Sequence, residues 1–223
     1  MTNSRHCLTR RLDRGQVFVG ELILILGGAR SGKSAEAVRI ATERTDGRVL
    51  FVATAEPGDD EMRFRIEKHR GERPAHWHTL EAPCNVGKAI GRQPQGFSTI
   101  IVDCITLLVS NLLVDKSDPY AEAVRERVDQ EIGEIVRAAN GMPCTSRMIV
   151  VSNEVGTGMA PLTPLGRAFR DLVGQANQTL AAAADRAILM VAGLPLVLKG
   201  EGTRGTASVL LGAEAIAASV KDE

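Results

Sequence analysis

The strongest constraint on this chain is the octapeptide GGARSGKS, Gly27 to Ser34, which follows a run of aliphatic residues directly. It matches the P-loop pattern G-x-x-x-x-G-K-[S/T], in which backbone N–H groups surround the phosphates of a nucleotide. Leu22–Leu26 predicts a strand buried on both faces, and the residues from Lys33 to Ile40 predict a helix whose N-terminus attracts phosphate. The alternative is a glycine-rich turn with a chance lysine, which the two correct flanks disfavour.

Three side chains have specific roles if the pattern is a P-loop. Lys33 would reach the β and γ phosphates as a point charge, and the Ser34 hydroxyl would bind Mg²⁺. Asp103 ends the run IIVD, which has the Walker B character of apolar residues followed by a carboxylate, and it would face Ser34 across the metal. The alternative for Asp103 is a helix cap or a turn residue.

Further aliphatic runs alternate with helical patterns along the chain. Strands are predicted in Arg48–Pro57, at the start of Phe97–Leu113, in Ser146–Gly156 and in Arg186–Gly200, the last with a second strand after Gly193. The rest of Phe97–Leu113 has a mixed pattern that leaves its type undecided. Helices are predicted in Asp59–Arg70, Tyr120–Asn140 and Pro164–Asp185. This alternation predicts the α/β class, with a doubly wound and mostly parallel central sheet flanked by helices. Together with the P-loop, the fold class we expect is a P-loop NTPase of RecA-like type. Ligands of such sheets bind at the carboxyl ends of the strands.

The remainder of the chain predicts one domain over residues 21–200. Residues 1–20 read as a disordered extension, and residues 201–223 as a tail with a possible short peripheral helix. Lys plus Arg and Asp plus Glu each number 27, so no net positive charge attracts nucleic acid. No apolar run approaches the roughly 20 residues of a membrane span. The four cysteines are scattered, which favours reduced thiols in a cytoplasmic protein.

His69 lies near the end of a charged helical segment and permits two interpretations. By spacing alone it reads as a solvated surface residue, and the same holds for Arg70 and Arg73. The alternative is that its imidazole attacks the α-phosphate of a nucleotide, which would split a nucleotidyl transfer into two easier steps. His76 and His78 lack a third ligand nearby, so a metal site there is not favoured.

Five segments, in order, resemble a known family: ILGGARSGKS, LFVATAEPGDDEMRFRIEKHRGERPAHWHTLE, DCITLLVSNLL, SNEVGTGMAP and GRAFRDLVGQANQTLAAAADRAILMVAGLPLVLK. They are similar to the bifunctional adenosylcobinamide kinases and adenosylcobinamide-phosphate guanylyltransferases of cobalamin biosynthesis. The resemblance implies that ATP or GTP phosphorylates the aminopropanol hydroxyl of adenosylcobinamide. GMP from GTP is then joined to that phosphate, giving adenosyl-GDP-cobinamide and pyrophosphate.

The resemblance also implies Mg²⁺, a homo-oligomer, in particular a homotrimer, and a set of site residues. It makes His69 the guanylylated residue, so that His69 and the P-loop Lys33 are the candidate catalytic residues. Lys68 stands where some members have a second histidine, and Asp103 where several have Glu. The implied nucleotide contacts are Gly27, Gly28, Ala29, Arg30, Ser31, Gly32, Lys33, Ser34, Ala53, Thr54, Ala55, Arg70, Gly71, Glu72, Arg73, Glu81 and Asp103.

Two rival functions remain open from the residues themselves. One is a plain P-loop kinase of a small hydroxyl compound, which needs no covalent intermediate. The other is a nucleotide-dependent switch or RecA-like motor, although the neutral charge and an aromatic content of 3% argue against nucleic acid as its partner. For the bifunctional enzyme, the helix Asp59–Arg70 could shift His69 toward the α-phosphate, with Gly58 and Gly71 as hinges.

Overall fold

A computed structural model describes residues 9–11, 16–18, 20–43, 47–58, 60–71, 73–114 and 116–200. Within these ranges, strands and helices alternate along most of the chain. The elements are β1 (Thr9–Arg11), β2 (Gln16–Phe18), β3 (Glu21–Gly27), α1 (Lys33–Thr42), β4 (Arg48–Ala53), α2 (Asp60–Gly71), β5 (His78–Glu81), α3 (Val86–Gly91), β6 (Phe97–Asp103), α4 (Ile105–Leu113), α5 (Glu122–Asn140), β7 (Arg147–Val151), α6 (Pro164–Ala183), β8 (Arg186–Val191) and β9 (Leu194–Lys199).

One seven-stranded sheet forms the centre of the fold, in the order β5-β4-β6-β7-β3-β8-β9. All its neighbouring strands pair in parallel except β8 and β9, which form an antiparallel pair. The predicted α/β class with a mostly parallel central sheet flanked by helices is confirmed. The order places β7 between the P-loop strand β3 and β6, which ends in Asp103.

The sheet is buried on both faces because its central strands are aliphatic throughout. On one face Ile23 and Ile25 of β3 pack with Ala37 and Ile40 of α1. The other face forms a larger core, in which side chains of α3, α4, α5 and α6 cover the opposite sides of the same strands. β7 is buried at all five positions. The parallel strands therefore present their carboxyl ends together at one edge.

Three elements differ from the sequence-based expectation. α4 occupies a segment whose type the pattern left undecided, while β5 and α3 were not predicted. β5 lies at the edge of the sheet and is largely exposed, so it lacks the buried aliphatic run that marks the central strands. α3 has only six residues, too few for a helical period to show. The additional strand after Gly193 is present as β9.

Within the segment predicted as a disordered extension, β1 and β2 pair in an antiparallel two-stranded sheet. The helix suggested for residues 201–223 lies outside the described residues, and the division of the chain at residues 20 and 200 stays a prediction. None of the helices in the described ranges is long and apolar enough to cross a membrane.

Candidate active site

The loop between β3 and α1 has the backbone that a P-loop requires. Gly27 and Gly32 have φ angles of 154° and 97°, and Arg30 has a φ of 56°. A Cβ atom on Gly27 would lie 2.5 Å from Ser31 Oγ and 2.6 Å from the Met190 carbonyl oxygen. Only glycine fits there, because both the angle and the space exclude a side chain.

Lys33 is buried at the start of α1, with 8% of its surface exposed. Its Nζ donates a hydrogen bond to the Gly28 carbonyl oxygen at 2.6 Å, so the side chain lies across the loop. Burial lowers the pKa of Lys33, while the nearby Cys104 and Asp103 act in the opposite direction. A lysine ammonium withdrawn from water in this way binds an incoming phosphate more strongly than a solvated one.

Ser34 and Asp103 meet although they are far apart in the chain. The Ser34 hydroxyl donates to Asp103 Oδ2 at 2.8 Å. Mg²⁺ in nucleotide sites takes one or two protein oxygens together with phosphate oxygens and water, and this pair fits that donor set. In the part of the chain that the structure describes, no group of three His, Cys, Asp or Glu side chains forms a separate metal cage.

Thr54 is fully buried behind Asp103. Its hydroxyl donates to the Cys104 carbonyl oxygen at 2.7 Å and accepts from the Cys104 N–H at 2.8 Å. The Thr54 N–H also donates to the Asp103 carbonyl oxygen at 3.2 Å. Asn111 Nδ2 in turn donates to the Thr54 and Pro83 carbonyl oxygens at 2.8 and 3.0 Å. The Thr54 side chain therefore holds the backbone that presents Asp103.

Arg73 follows α2 and reaches back to the end of the sheet. Its guanidinium lies over the Phe51 ring, 3.6 Å from the ring centroid, and the residue is half-buried rather than solvent-facing. Burial lowers the pKa of Arg73, and the Asp103 and Glu81 carboxylates oppose that effect while Arg70 adds to it. Arg73 is therefore close enough to Asp103 for their charges to interact.

The sequence was compared with known families and proteins. The family model described as cobinamide kinase / cobinamide phosphate guanyltransferase matches residues 23–198, which include the P-loop, Arg73 and Asp103. The chain belongs to this family.

Two curated relatives, both named as bifunctional, match this cobinamide kinase family member over 80% of its length. The bifunctional adenosylcobalamin biosynthesis protein CobP of Pseudomonas aeruginosa is 42% identical over 178 residues, which cover 97% of that protein. The bifunctional adenosylcobalamin biosynthesis protein CobU of Escherichia coli is 38% identical over 184 residues, 99% of its length. Among solved structures, the flagellar accessory protein FlaH of Methanocaldococcus jannaschii is 16% identical, with a TM-score of 0.47 and coverage of 82% of this chain and 80% of that one.

The remaining predicted contacts of this family member are distributed around the same edge. Ala53 is buried and pairs with Glu81, the exposed last residue of β5, while Ala55 is half-buried. Gly28, Ala29, Arg30 and Ser31 complete the loop, whereas Arg70 and Gly71 are exposed at the end of α2. His69 belongs to α2 by its backbone, but its side chain and all of Glu72 lie outside the described residues.

Two further groups support the site and were not singled out as site residues. Asn111 is a polar residue within the apolar helix α4, and that contrast is the signal that could have identified it. After β7, the Glu154 N–H donates to the Gly27 carbonyl oxygen at 3.0 Å, and the Asn153 N–H donates to Thr106 Oγ1 at 3.1 Å. The polar residues after β7 therefore brace the P-loop from the neighbouring strand.

Proposed function

We propose that this chain is a bifunctional enzyme that acts on adenosylcobinamide. It phosphorylates the aminopropanol hydroxyl with ATP or GTP, and then transfers GMP from GTP to the resulting phosphate with release of pyrophosphate. Family membership and the bifunctional relatives support this proposal. The single structural observation behind it is the contact between Ser34 and Asp103 at 2.8 Å, beside the buried Lys33.

In the kinase reaction, the P-loop N–H groups and Lys33 bind the triphosphate. Ser34 and Asp103 would hold Mg²⁺, which supplies positive charge that neutralises the phosphate oxygens. The substrate hydroxyl oxygen forms a bond to the γ phosphorus as the bond to the β–γ bridging oxygen breaks, so that the nucleoside diphosphate leaves and the hydroxyl proton passes to solvent. Little covalent chemistry is required of the protein, so its contribution is position and electrostatic stabilisation.

In the guanylyltransferase reaction, a nitrogen of His69 would attack the α phosphorus and displace pyrophosphate. A phosphate oxygen of adenosylcobinamide phosphate would then attack the phosphoramidate and release the imidazole. Arg73, four residues after His69, supports this assignment because it lies over Phe51 and within the field of Asp103. The same triphosphate site then serves both reactions, and the nucleophile that is presented decides whether γ or α phosphorus reacts.

We extend the proposal to the localisation, the oligomeric state and the cosubstrates of the enzyme. It would act as a cytoplasmic homo-oligomer, a trimer by analogy with its family, and would use Mg²⁺ with either ATP or GTP in the kinase step. The rival single-function kinase would share the P-loop chemistry but would have no use for His69. A switch or motor would be stimulated by a protein or nucleic acid rather than by a corrinoid.

Labelling of the protein with α-labelled GTP and Mg²⁺ tests the proposal directly. We expect an acid-labile, alkali-stable label on the wild-type chain that is absent from His69→Ala. His76→Ala is the matched control, since His76 is an exposed histidine seven residues further on, and it should label normally. Kinase activity on adenosylcobinamide without any label on the protein would instead identify a single-function kinase.

A further inference from the structure

A pocket of about 550 Å³ lies beside the nucleotide site, at the same edge of the sheet. Its wall contains Glu56, which follows β4, Pro83 and Cys84, which follow β5, and Asn111 near the end of α4. The start of α5 forms the opposite wall. Since ligands of parallel sheets bind at the carboxyl ends of the strands, the pocket has the position of a substrate subsite.

Hydrogen bonds connect this pocket to the proposed metal carboxylate. Asn111, one of its lining residues, donates to the Thr54 carbonyl oxygen at 2.8 Å. The Thr54 hydroxyl in turn forms hydrogen bonds with the carbonyl oxygen and the N–H of Cys104, the residue after Asp103. The pocket and the phosphate site are therefore built on the same fixed strand ends, while none of the P-loop residues lines the pocket.

The far wall of the pocket is also fixed. Arg127 lines it and is held by Glu131, to whose Oε1 it donates at 2.7 Å, and by Asn85 Oδ1 at 2.8 Å. Glu131 is completely buried and also accepts the backbone N–H groups of Asn85 and Val86 at 2.6 and 3.1 Å. A charged residue anchored in this way keeps its orientation without a ligand, which lowers the entropic cost of binding.

The chemistry of the lining selects the kind of ligand. Glu56 and Asp118 balance Lys116 and Arg127, so the described lining has no net charge to favour a phosphate. Aliphatic side chains and the Ser117 hydroxyl lie among these charges, and the described lining contains no aromatic ring on which a nucleobase could stack. A neutral ligand that combines aliphatic surface with amide donors and acceptors fits best.

We propose that this pocket receives the amide-bearing rim of the corrinoid macrocycle, an inference that rests on the proposed function. A pocket of 550 Å³ holds part of such a substrate, and the rest of the macrocycle would extend over the surface. With the rim held at the ends of β4 and β5, the aminopropanol arm would have to extend along the edge of the sheet toward Asp103 for its hydroxyl to reach the nucleotide. The same anchorage would serve both reactions, because the arm changes only from hydroxyl to phosphate.

Binding of cobinamide in equilibrium dialysis, followed by its visible absorbance, tests this inference. Ala123→Phe would fill the pocket from the exposed first turn of α5, and Ala182→Phe is the matched control on the exposed side of α6. We expect Ala123→Phe to weaken cobinamide binding by about tenfold or more, equivalent to about 1.4 kcal/mol, and Ala182→Phe to leave it unchanged. Labelling by α-labelled GTP should remain normal in both variants, since it needs no corrinoid.

The outcomes separate this inference from the proposed function. Unchanged cobinamide binding by Ala123→Phe would overturn the pocket assignment and leave the bifunctional enzyme intact. Equal loss of cobinamide binding and GTP labelling would assign the pocket to the nucleotide instead, again overturning the inference. Failure of the wild-type chain to bind cobinamide would reject both. If circular dichroism shows that Ala123→Phe does not fold, the exposed Lys116→Ala decides, with severalfold weaker binding expected and unchanged binding contradicting the assignment.

Discussion

At the scale of single residues, the candidate site depends on how Asp103 is held. A carboxylate at the end of β6 serves Mg²⁺ only if its backbone is fixed, and the chain fixes it through the buried hydroxyl of Thr54. Family resemblance names Thr54 among the nucleotide contacts, whereas the geometry shows its side chain turned to the Cys104 backbone. A residue in that place acts on the reaction by positioning another.

Replacing Thr54 by Val should separate this role from simple packing. The Cys104 carbonyl oxygen keeps the Leu108 N–H as a donor, at 3.2 Å, but the Cys104 N–H loses the Thr54 hydroxyl. We expect a loss of about 1–3 kcal/mol in the free energy of unfolding, measured in urea, because a buried donor is left unpaired. The Mg²⁺ concentration for half-maximal activity should also rise. Thr54→Ser should restore both values, and a Ser variant as impaired as Val would argue against the hydroxyl.

Lys33 should make the stability of the chain depend on pH in a defined direction. Because burial lowers its pKa in the folded chain below the ordinary value of 10.5, the unfolded chain binds more protons between the two values. The free energy of unfolding contributed by Lys33 therefore rises with pH through that window. Burial raises the pKa of Cys104, which gives a slope of the opposite sign in both proteins compared below.

Unfolding in urea between pH 7 and pH 10 should reveal this effect when wild type is compared with Lys33→Met. At neutral pH, Lys33→Met should be the more stable protein, since a charged group no longer has to be buried. Its advantage should shrink as the pH rises and Lys33 of the wild type loses its proton. Activity should be abolished at every pH. Parallel stability curves for the two proteins would show that burial of the ammonium carries no such cost.

At the scale of secondary structure, the elements that the sequence predicted are mainly the strands that are buried on both faces. β3, β4, β6, β7 and β8 are buried aliphatic strands, so the sequence alone predicts them and the P-loop between β3 and α1. Ser34 and Asp103 were expected to face each other across a metal, since the P-loop follows β3 and Asp103 ends β6; in the structure their side chains make a direct hydrogen bond. These are features that local pattern determines.

The features that sequence reasoning missed depend on contacts between distant residues. The cation–π contact of Arg73 requires Phe51 of β4, and no local spacing reveals it. At the start of α3 no side chain of its own segment caps the free N–H groups. The Glu131 carboxylate of α5 instead accepts hydrogen bonds from the Asn85 and Val86 N–H groups, at 2.6 and 3.1 Å. A short helix stabilised from another element carries little signal in its own sequence.

Gly87 should be indispensable to the packing of α3 on α5. A Cβ atom there would lie 2.5 Å from the backbone carbon and oxygen of Glu134, so one of the helices would have to move. We expect Gly87→Ala to lower the free energy of unfolding by about 1–3 kcal/mol, measured by urea denaturation. Gly91→Ala is the control in the same helix: no atom lies within 4 Å of its Cβ position, and its effect should stay within about 0.5 kcal/mol. Equal effects of the two substitutions would contradict this account.

At the scale of the whole molecule, the parallel sheet brings most of the described candidate functional groups to one edge. The P-loop follows β3, Thr54 follows β4, Asp103 ends β6, and the residues after β7 brace the loop. α2, which carries His69, connects β4 to β5 at this edge and bears few apolar residues. An element with so little apolar surface is one that the fold can displace at low cost. This is the property that a helix must have if it delivers a nucleophile in only one of two reactions.

The glycines at the two ends of α2 provide a test of that movement. Neither Gly58 nor Gly71 has a left-handed φ angle, and apart from chain neighbours no atom of the described residues lies within 4 Å of a Cβ built on either, so the described conformation does not require glycine. The backbone freedom of these two glycines would instead allow α2 to move to a second placement, in which His69 reaches the α-phosphate. Alanine at both sites should leave the kinase rate unchanged and slow the labelling by α-labelled GTP by roughly tenfold, since each substitution restricts the backbone by about 0.4–1 kcal/mol.

Gly174→Ala on α6 is the control for that pair, because its Cβ position is equally open and the helix does not adjoin α2 in sequence. Pre-steady-state labelling is the measurement, since product release can hide a slower helix movement in the steady state. Slower labelling in the double variant alone would tie the guanylyl transfer to movement of α2. Equal labelling rates in all three proteins would mean that His69 reaches the α-phosphate without bending at these glycines. In that case the fold presents both nucleophiles, the substrate hydroxyl and the imidazole, to one rigid site.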